Sequence, residues 1–380
     1  MKNTVDQELA ITSIDDNIIV NAGAGTGKTK VLTERYIHIL ENGSLERDRE
    51  IESIVAITFT KKATQEMKER IRKAIRDRFH LDNCWRRYYK DMEKANISTI
   101  HSFCGSILRD NALEANIDPM FETLDEDEVN LLLEESILKV ILRGIEDEKN
   151  VYDMVRALSG DDLNRIVHQL KGIYYKIRCM GHSFSSIRDI TLDSIDSIEV
   201  DLGDIQDIKD TFLYLMNNSR KNSKVYRLKN DDIWIDFYND SYDRDELWTI
   251  LEYLYDNIGR NAREKDAIER LEEAIRNILL MKEKEYRWLY EALLDTLIRI
   301  DEKYTKVKDE LGVLDFDDLQ ILVLRLLDDE GVRKRYQDKF KYIMIDEFQD
   351  TNELQKQIFY RLCSERETLD RSNLFVVGDP

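Results

Sequence analysis

The sequence predicts an α/β fold: a parallel sheet wound around a glycine-rich turn and interrupted by a large helical insertion. Three observations predict it. In the first hundred residues, short apolar runs alternate with helical patterns. From about Arg109, apolar residues recur at three- and four-residue spacing among many Glu, Lys and Arg. Two further apolar runs return near Lys341 and Asn373. Strands alternating with helices build parallel sheets with right-handed crossovers. The intervening segment of roughly 200 residues is expected to be a folded subdomain, since structureless loops beyond about 15 residues are uncommon.

The elements follow in order. Asn17 to Ala22 (NIIVNA) reads as a buried strand, and Lys28 to Leu40 has helical spacing. Ser53 to Thr60 (SIVAITFT) reads as a second strand, followed by a helix from about Ala63 to Phe79. Ile97 to Ile100 is a short third strand. Residues 126–150 and 245–310 are helical, and a stripe such as Leu247, Ile250, Leu251, Leu254 and Ile258 is read as plain core. The stretch from about Gly160 to Asp240 mixes helix with loop. Lys341 to Ile345 (KYIMI) and Asn373 to Val377 (NLFVV) are buried strands, and each runs into acidic residues.

Composition narrows the class. A chain of 380 residues with 42% apolar residues has room for two or three domains and a sizeable core. It has no apolar run long enough to span a membrane, and Met1 to Asp6 lacks the apolar core of a signal peptide. Cys84, Cys104, Cys179 and Cys363 stand alone, without metal spacing, so a reducing, cytoplasmic setting is expected. Only Pro119 and Pro380 are prolines, which favours long helices. The net charge of −20 taken alone argues against a polyanion ligand. Its distribution argues otherwise, because Lys61 to Arg78 holds eight basic residues against three acidic ones. A solvated helix face is the ordinary alternative for such a run.

The chemistry concentrates in two places. Ala22-Gly23-Ala24-Gly25-Thr26-Gly27-Lys28-Thr29 lies between a predicted strand and a predicted helix and fits the P-loop pattern, with Ala in place of the first Gly. Glycines let backbone N–H groups approach phosphate, and the helix N-terminus adds its positive dipole end. Lys28 is then expected on the β- and γ-phosphates and the Thr29 hydroxyl on Mg²⁺. A chance Gly-Lys-Thr in a turn is the alternative. Asp346-Glu347 ends the KYIMI strand, where an Asp can hold Mg²⁺ and a Glu can act as general base. Ordinary exposed acids at a strand end are the alternative. Lys28 and this carboxylate pair are expected to end neighbouring parallel strands and to face a common cation.

The block Ile343-Met344-Ile345-Asp346-Glu347-Phe348-Gln349-Asp350-Thr351-Asn352 resembles motif II of superfamily 1A DNA helicases of the UvrD/Rep/RecB branch. Other blocks resemble that family in its own order. Asp6-Gln7-Glu8-Leu9-Ala10 looks like the Q motif. Residues 58–67 look like motif Ia, residues 97–104 like motif Ib, and Val376 to Pro380 like the start of motif III. Leu314-Asp315-Phe316-Asp317-Asp318-Leu319 matches a signature that precedes motif II in the family.

The resemblance implies a RecA-like motor domain 1A from residues 1–108 and 326–380, with a helical subdomain 1B at 109–325. It implies ATP and Mg²⁺ as cofactors, with Lys28, Asp346 and Glu347 catalytic and Thr29 and Asp346 on the metal. Nucleotide contacts would come from Gln7, from Ala22 to Thr29 including Ala24, and from Gln349. The family's usual arginine after the P-loop is Lys30 here, which would also meet the nucleotide, with Arg35 as a possible substitute on adenine. The run Lys30 to Arg35 looks closer to the RecB/AddA side. Single-stranded DNA contacts would come from Thr58, Phe59, Thr60, Lys61, His101 and Phe103. For Phe59 and Phe103 the alternative is core packing, and for His101 a satisfied buried histidine. Thr64 stands where alanine is usual. A relative of this kind would translocate 3′→5′ on single-stranded DNA, meet single-strand/duplex junctions, and have a RecB/AddA-type heterodimer partner. No membrane role is expected. Ending at Pro380, the chain would stop before motifs IV to VI and their arginine fingers, and is expected to hydrolyse ATP poorly by itself. A nucleotide-binding module without motor activity is the second reading. A P-loop enzyme acting on small molecules is the third, and the Ia, Ib and 346–352 blocks speak against it.

Overall fold

The computed structural model describes residues 3–23, 25–198, 204–259, 264–364 and 368–379. Its strands are β1 Ile18–Asn21, β2 Ile54–Thr58, β3 Asn96–Thr99, β4 Glu122–Thr123, β5 Val313–Leu314, β6 Tyr342–Ile345 and β7 Leu374–Gly378. Five of them form one parallel sheet in the order β1-β7-β6-β2-β3. Ile343 pairs with Val55 on one side and Leu374 on the other, so the C-terminal strands fill the middle of a sheet begun three hundred residues earlier. The α/β class with a parallel central sheet is as predicted.

Helices cover both faces, which is why the central strands are apolar along their whole length. Every residue of β2, β6 and β7 is buried. Helices Lys28–Asn42 and Lys61–Arg76 close one face over Tyr36, Ile39, Ile71, Met344 and Phe375. Helices Ile100–Asp110, Phe316–Leu326 and Glu353–Cys363 close the other over Val323, Ile345, Ile358 and Val376. Strand β1 departs from the expectation of a buried strand. It is an edge strand with alternating burial, and Ile19 is 76% exposed. An apolar run alone does not show which strand ends at the edge.

The chain divides into two compact units. The first combines the chain up to Glu135, Lys171–His182 and the chain from Lys303. The second comprises Ser136–Leu170 and Ser183–Glu302. These divisions do not fall at 108/109 and 325/326. Helix Phe316–Leu326 packs against helix Ile100–Asp110 in the sheet-bearing unit, although both lie next to or within the helical stretch by sequence. The second unit is helical among the described residues, with a core of Phe212, Trp234, Phe237, Leu251, Leu254 and Ile275. The part that read as mixed holds helices Leu163–Cys179, Phe184–Asp196 and Asp204–Asn218, followed by the short helices Lys224–Arg227 and Asp232–Tyr238. No helix among the described residues is long and apolar enough to cross a membrane.

Candidate nucleotide site

The turn after β1 is built for close approach to its backbone. Gly25 and Gly27 adopt φ of 80° and 94°, where a Cβ is strained, and helix Lys28–Asn42 starts directly from left-handed Gly27 with no side-chain cap. A helix start without a side-chain cap is the arrangement that binds anions at helix N-termini. Thr26 Oγ1 donates to the Gly23 carbonyl at 2.7 Å, and Ala22 N–H donates to the Gly378 carbonyl at 3.0 Å, tying the turn to β7. Ala24 lies outside the described residues. Helix Val5–Thr12 begins with a Thr4–Gln7 capping box, and Gln7 Nε2 donates to the Thr26 carbonyl at 3.0 Å. Gln7 therefore braces the turn. A cavity of about 1010 Å³ opens beside it, lined among others by Gln7, Ala10, Asn21, Gly23, Thr26 and Lys28.

Asp346 and Glu347 follow β6. Lys28 Nζ donates to Glu347 Oε2 at 2.7 Å, across 319 residues of sequence, and to Asp379 Oδ1 at 2.6 Å. Gln349 closes a ring: its Nε2 donates to Glu347 Oε2 at 2.8 Å, and its Oε1 accepts from Asp379 N–H at 3.0 Å. Gly378 makes room for this, since a Cβ there would sit 2.7 Å from Gln349 Oε1. Glu347 itself holds φ at 52°, a left-handed conformation uncommon for such a residue and met at functional sites. The expectation of neighbouring strands is corrected: β7 lies between β1 and β6. Lys28 spans that gap because its side chain reaches over the strand ends.

The charges are mutually tuned. Burial opposes the charge on Lys28, but hydrogen bonds to Asp379 and Glu347 outweigh it and push its pKa up. The hydrogen bond from Lys28, helped by Gln349, holds Glu347 below the usual range. Burial, then the neighbouring Glu347, pushes Asp346 up to about 6. A half-buried carboxyl in that state gains from a cation. The Thr29 hydroxyl and the Asp346 carboxylate are hard oxygen donors that suit Mg²⁺, which keeps several of its waters. Among the described residues, no group of three or more His, Cys, Asp or Glu forms a fuller cage.

Two residues expected on the nucleotide are turned elsewhere. Arg35 is 2% exposed, donates to the Ala10 carbonyl at 2.6 Å and lies 4.3 Å over the Phe375 ring. Burial lowers its pKa to about 10. It is a core residue, as its place one turn from Val31 and one from Ile39 on the buried face would have indicated. Lys30 Nζ points away from the cavity to Asn3 Oδ1 at 2.5 Å, with Glu34 at 3.6 Å.

The expected DNA contacts also separate. Phe59 is 61% exposed, and Thr60 and Lys61 are exposed where helix Lys61–Arg76 begins, with Thr60 as its N-cap. Thr58 is 1% exposed, its hydroxyl 2.6 Å from that of Thr64. It cannot reach a ligand, and the unusual Thr64 is its partner. Phe103 is likewise corrected to core: it is buried and packs on Phe340 at 5.5 Å. His101 is half-buried, its ring 4.5 Å from that of Phe316 at a tilt of 31°, and burial lowers its pKa.

Three features escaped sequence reasoning. Asp379 on Lys28 had a signal, an acid directly after an apolar strand, as with Asp346. Phe316 on His101 had none. Nor did the buried network in which Lys308 holds Asp315 and Asp318 while Arg178 Nη2 donates to Asp318 at 2.7 Å. Arg178 and Lys308 lie on helices far apart in sequence.

A glycine-rich turn facing carboxylates across the ends of a parallel sheet defines the P-loop class of α/β proteins. Within that class, the chain belongs to the UvrD/REP helicase N-terminal domain family, which it matches over residues 3–380. Its relatives include proteins whose names make them one subunit of an ATP-dependent helicase/nuclease. The one from Syntrophomonas wolfei is 28% identical over 99% of this chain and 33% of its own length. Those from Thermoanaerobacter sp. and Ligilactobacillus salivarius are each 29% identical over 100% of this chain, covering 35% and 34% of theirs. The chain spans about a third of the length of these curated relatives.

Proposed function

We propose that this chain is the N-terminal motor half of an ATP-dependent DNA helicase that moves 3′→5′ along single-stranded DNA. The observation that carries the reading is the 2.7 Å pair between Lys28 and Glu347, which brings the phosphate-binding turn and the motif II carboxylates into one site. The sheet-bearing unit is read as motor domain 1A and the helical unit as the body of subdomain 1B.

In this reading Lys28 leaves its carboxylates for the β- and γ-phosphates, joined by the first-turn N–H groups of helix Lys28–Asn42. Thr29 and Asp346 hold Mg²⁺, which when bound neutralises phosphate charge. Glu347, freed from Lys28, takes a proton from the attacking water, and Gln349 orients it. Phe59, Thr60, Lys61 and His101 meet single-stranded DNA at the C-terminal edge of the sheet, where α/β folds place ligands. Thr58 and Phe103 support them from beneath. A second motor domain, in the same or another chain, would supply the arginine fingers. A RecB/AddA-type heterodimer partner and single-strand/duplex junctions complete the proposed setting.

The test is binding and turnover of the purified chain. It should bind Mg·ATP and oligo(dT) but turn over slowly, since an arginine finger contributes on the order of 10³–10⁵ in rate. Failure to bind nucleotide, or DNA-stimulated turnover at the rate of a complete motor, overturns the reading.

A further inference from the structure

Between Lys73 and Lys90 the chain carries six basic residues against two acidic ones, in a protein of net charge −20. The cations there sort into two groups. Arg78 and Arg87 are spent on Glu41, Asp48 and Glu50, just as Arg70 and Arg72 nearby are spent on Glu66 and Glu93. Lys73, Arg76, Arg86 and Lys90 are exposed, and no carboxylate of the described residues lies within ion-pair distance of them. These four line one strip. Lys73 and Arg76 share a face at three-residue spacing, Arg86 and Lys90 at four. Between them, Arg76 lies 5.6 Å over Tyr89, Tyr89 meets Phe79 edge-on at 5.5 Å, and Arg86 lies 5.3 Å over Phe79.

From this strip we infer a second nucleic-acid contact, one that grips the phosphate backbone of duplex. The inference extends the DNA-motor reading above and rests on it. Guanidinium groups already cover both rings, so the strip offers unpaired bases nothing to stack on; stacking falls to exposed Phe59. What it offers is planar N–H forks and ammonium groups without carboxylate partners among the described residues, suited to phosphate oxygens without regard to sequence. Arg76 sits at the far end of the helix that Thr60 caps, about 24 Å away at 1.5 Å per residue. Duplex phosphates rising about 3.4 Å per strand step cover that in about seven base pairs.

The experiment measures anisotropy of labelled blunt duplex, oligo(dT) and polyglutamate with the whole 380-residue chain, across a salt series. The chain should bind blunt duplex. The variant K73A/R76A/R86A/K90A should lower the slope of log K against log salt by about 3–4, at ~0.9 per phosphate contact. Oligo(dT) and nucleotide binding should stay unchanged. The single variants R76Q and R86Q, each lowering the slope by about one, guard against unfolding of the fourfold variant. Absence of duplex binding, or duplex binding unmoved by these variants, overturns the inference. So does capture of polyglutamate in preference to duplex, which would make the strip a contact for an acidic protein. Loss of oligo(dT) binding alone, with duplex binding kept, refutes the single-strand site and leaves the strip standing.

Discussion

At the scale of single residues, the proposed nucleotide site turns on Lys28. Its Nζ is shared between Glu347 and Asp379, and a nucleotide would have to take it from both. Lys28→Ala should weaken nucleotide binding by roughly 10–100-fold, since a charge-assisted hydrogen bond contributes about 1.5–3 kcal/mol; a fluorescent nucleotide titration checks it. Glu347→Gln should keep that affinity while the turnover of the proposed motor falls by about 10²–10⁴. Equal loss of binding in both variants would refute Glu347 as base. Thr64→Ala strips the buried Thr58 hydroxyl of its 2.6 Å partner. A cost of ~1 kcal/mol follows, seen as a melting temperature lower by about 2–4 °C. Adding Thr58→Val should recover it. The glycine-rich turn, Lys28 and the Asp346–Glu347 pair were legible because each is written in adjacent residues, whereas Asp379 as a second partner of Lys28 was not. Arg35, Thr58 and Phe103 were misread because side-chain direction depends on what packs above them.

At the scale of elements, the capping box of helix Phe316–Leu326 doubles as the anchor of the returning chain. Asp315 and Asp318 cap its first turn and also bind Lys308, which is 2% exposed, and Arg178. Lys308→Met leaves buried Asp315 and half-buried Asp318 short of a cation and should cost about 3–5 kcal/mol. The pH dependence has two signs. Asp315 is held down at about 2, against the burial that would raise it, chiefly by Lys308 and then Arg178. Its stabilisation is present above the ordinary carboxylate pKa near 3.8 and is lost as pH falls towards 2. Burial, then Asp315, raises Asp317 to about 6. Its neutral form suits the fold, so that contribution is full below 3.8 and lost as pH rises through 6. Asp317→Asn should therefore melt higher than the parent by a larger margin at pH 8 than at pH 5. A margin that shrinks with pH would be wrong for this assignment. Strand and helix positions were largely legible from apolar runs and spacing. The two-residue pair β4–β5 was not, because two residues carry no periodicity.

At the scale of the whole molecule, the sheet is assembled from both ends of the chain. Among the described residues strand β1 has only β7 as its neighbour, and β7 and β6 lie between β1 and β2. A chain ending at residue 340 would lose both central strands and leave β1 unpaired. Such a chain should lose the cooperative thermal transition of the sheet-bearing unit and keep at most that of the helical unit; two transitions by calorimetry, as expected of the full chain, would show that the N-terminal strands pair without the C-terminal pair. The helical unit has its own core around Phe212, Trp234 and Phe237. That a long helical segment interrupts the sheet was legible from the change of period near Arg109. Where the compact units divide was not, since helix Phe316–Leu326 follows the long helical stretch by sequence and yet packs in the sheet-bearing unit.

By itself the sequence determined the α/β class, the glycine-rich turn, the paired acids after β6 and the existence of the insertion. Each is written in local residue order: glycines where φ is positive, apolar runs where both faces are covered, acids where a strand stops. Tertiary structure alone decided that β7 separates β1 from β6, that Asp379 joins Lys28, and that Arg35 and Phe103 belong to the core. These depend on contacts between residues tens to hundreds of positions apart, and no local pattern records which distant element fills the neighbouring place.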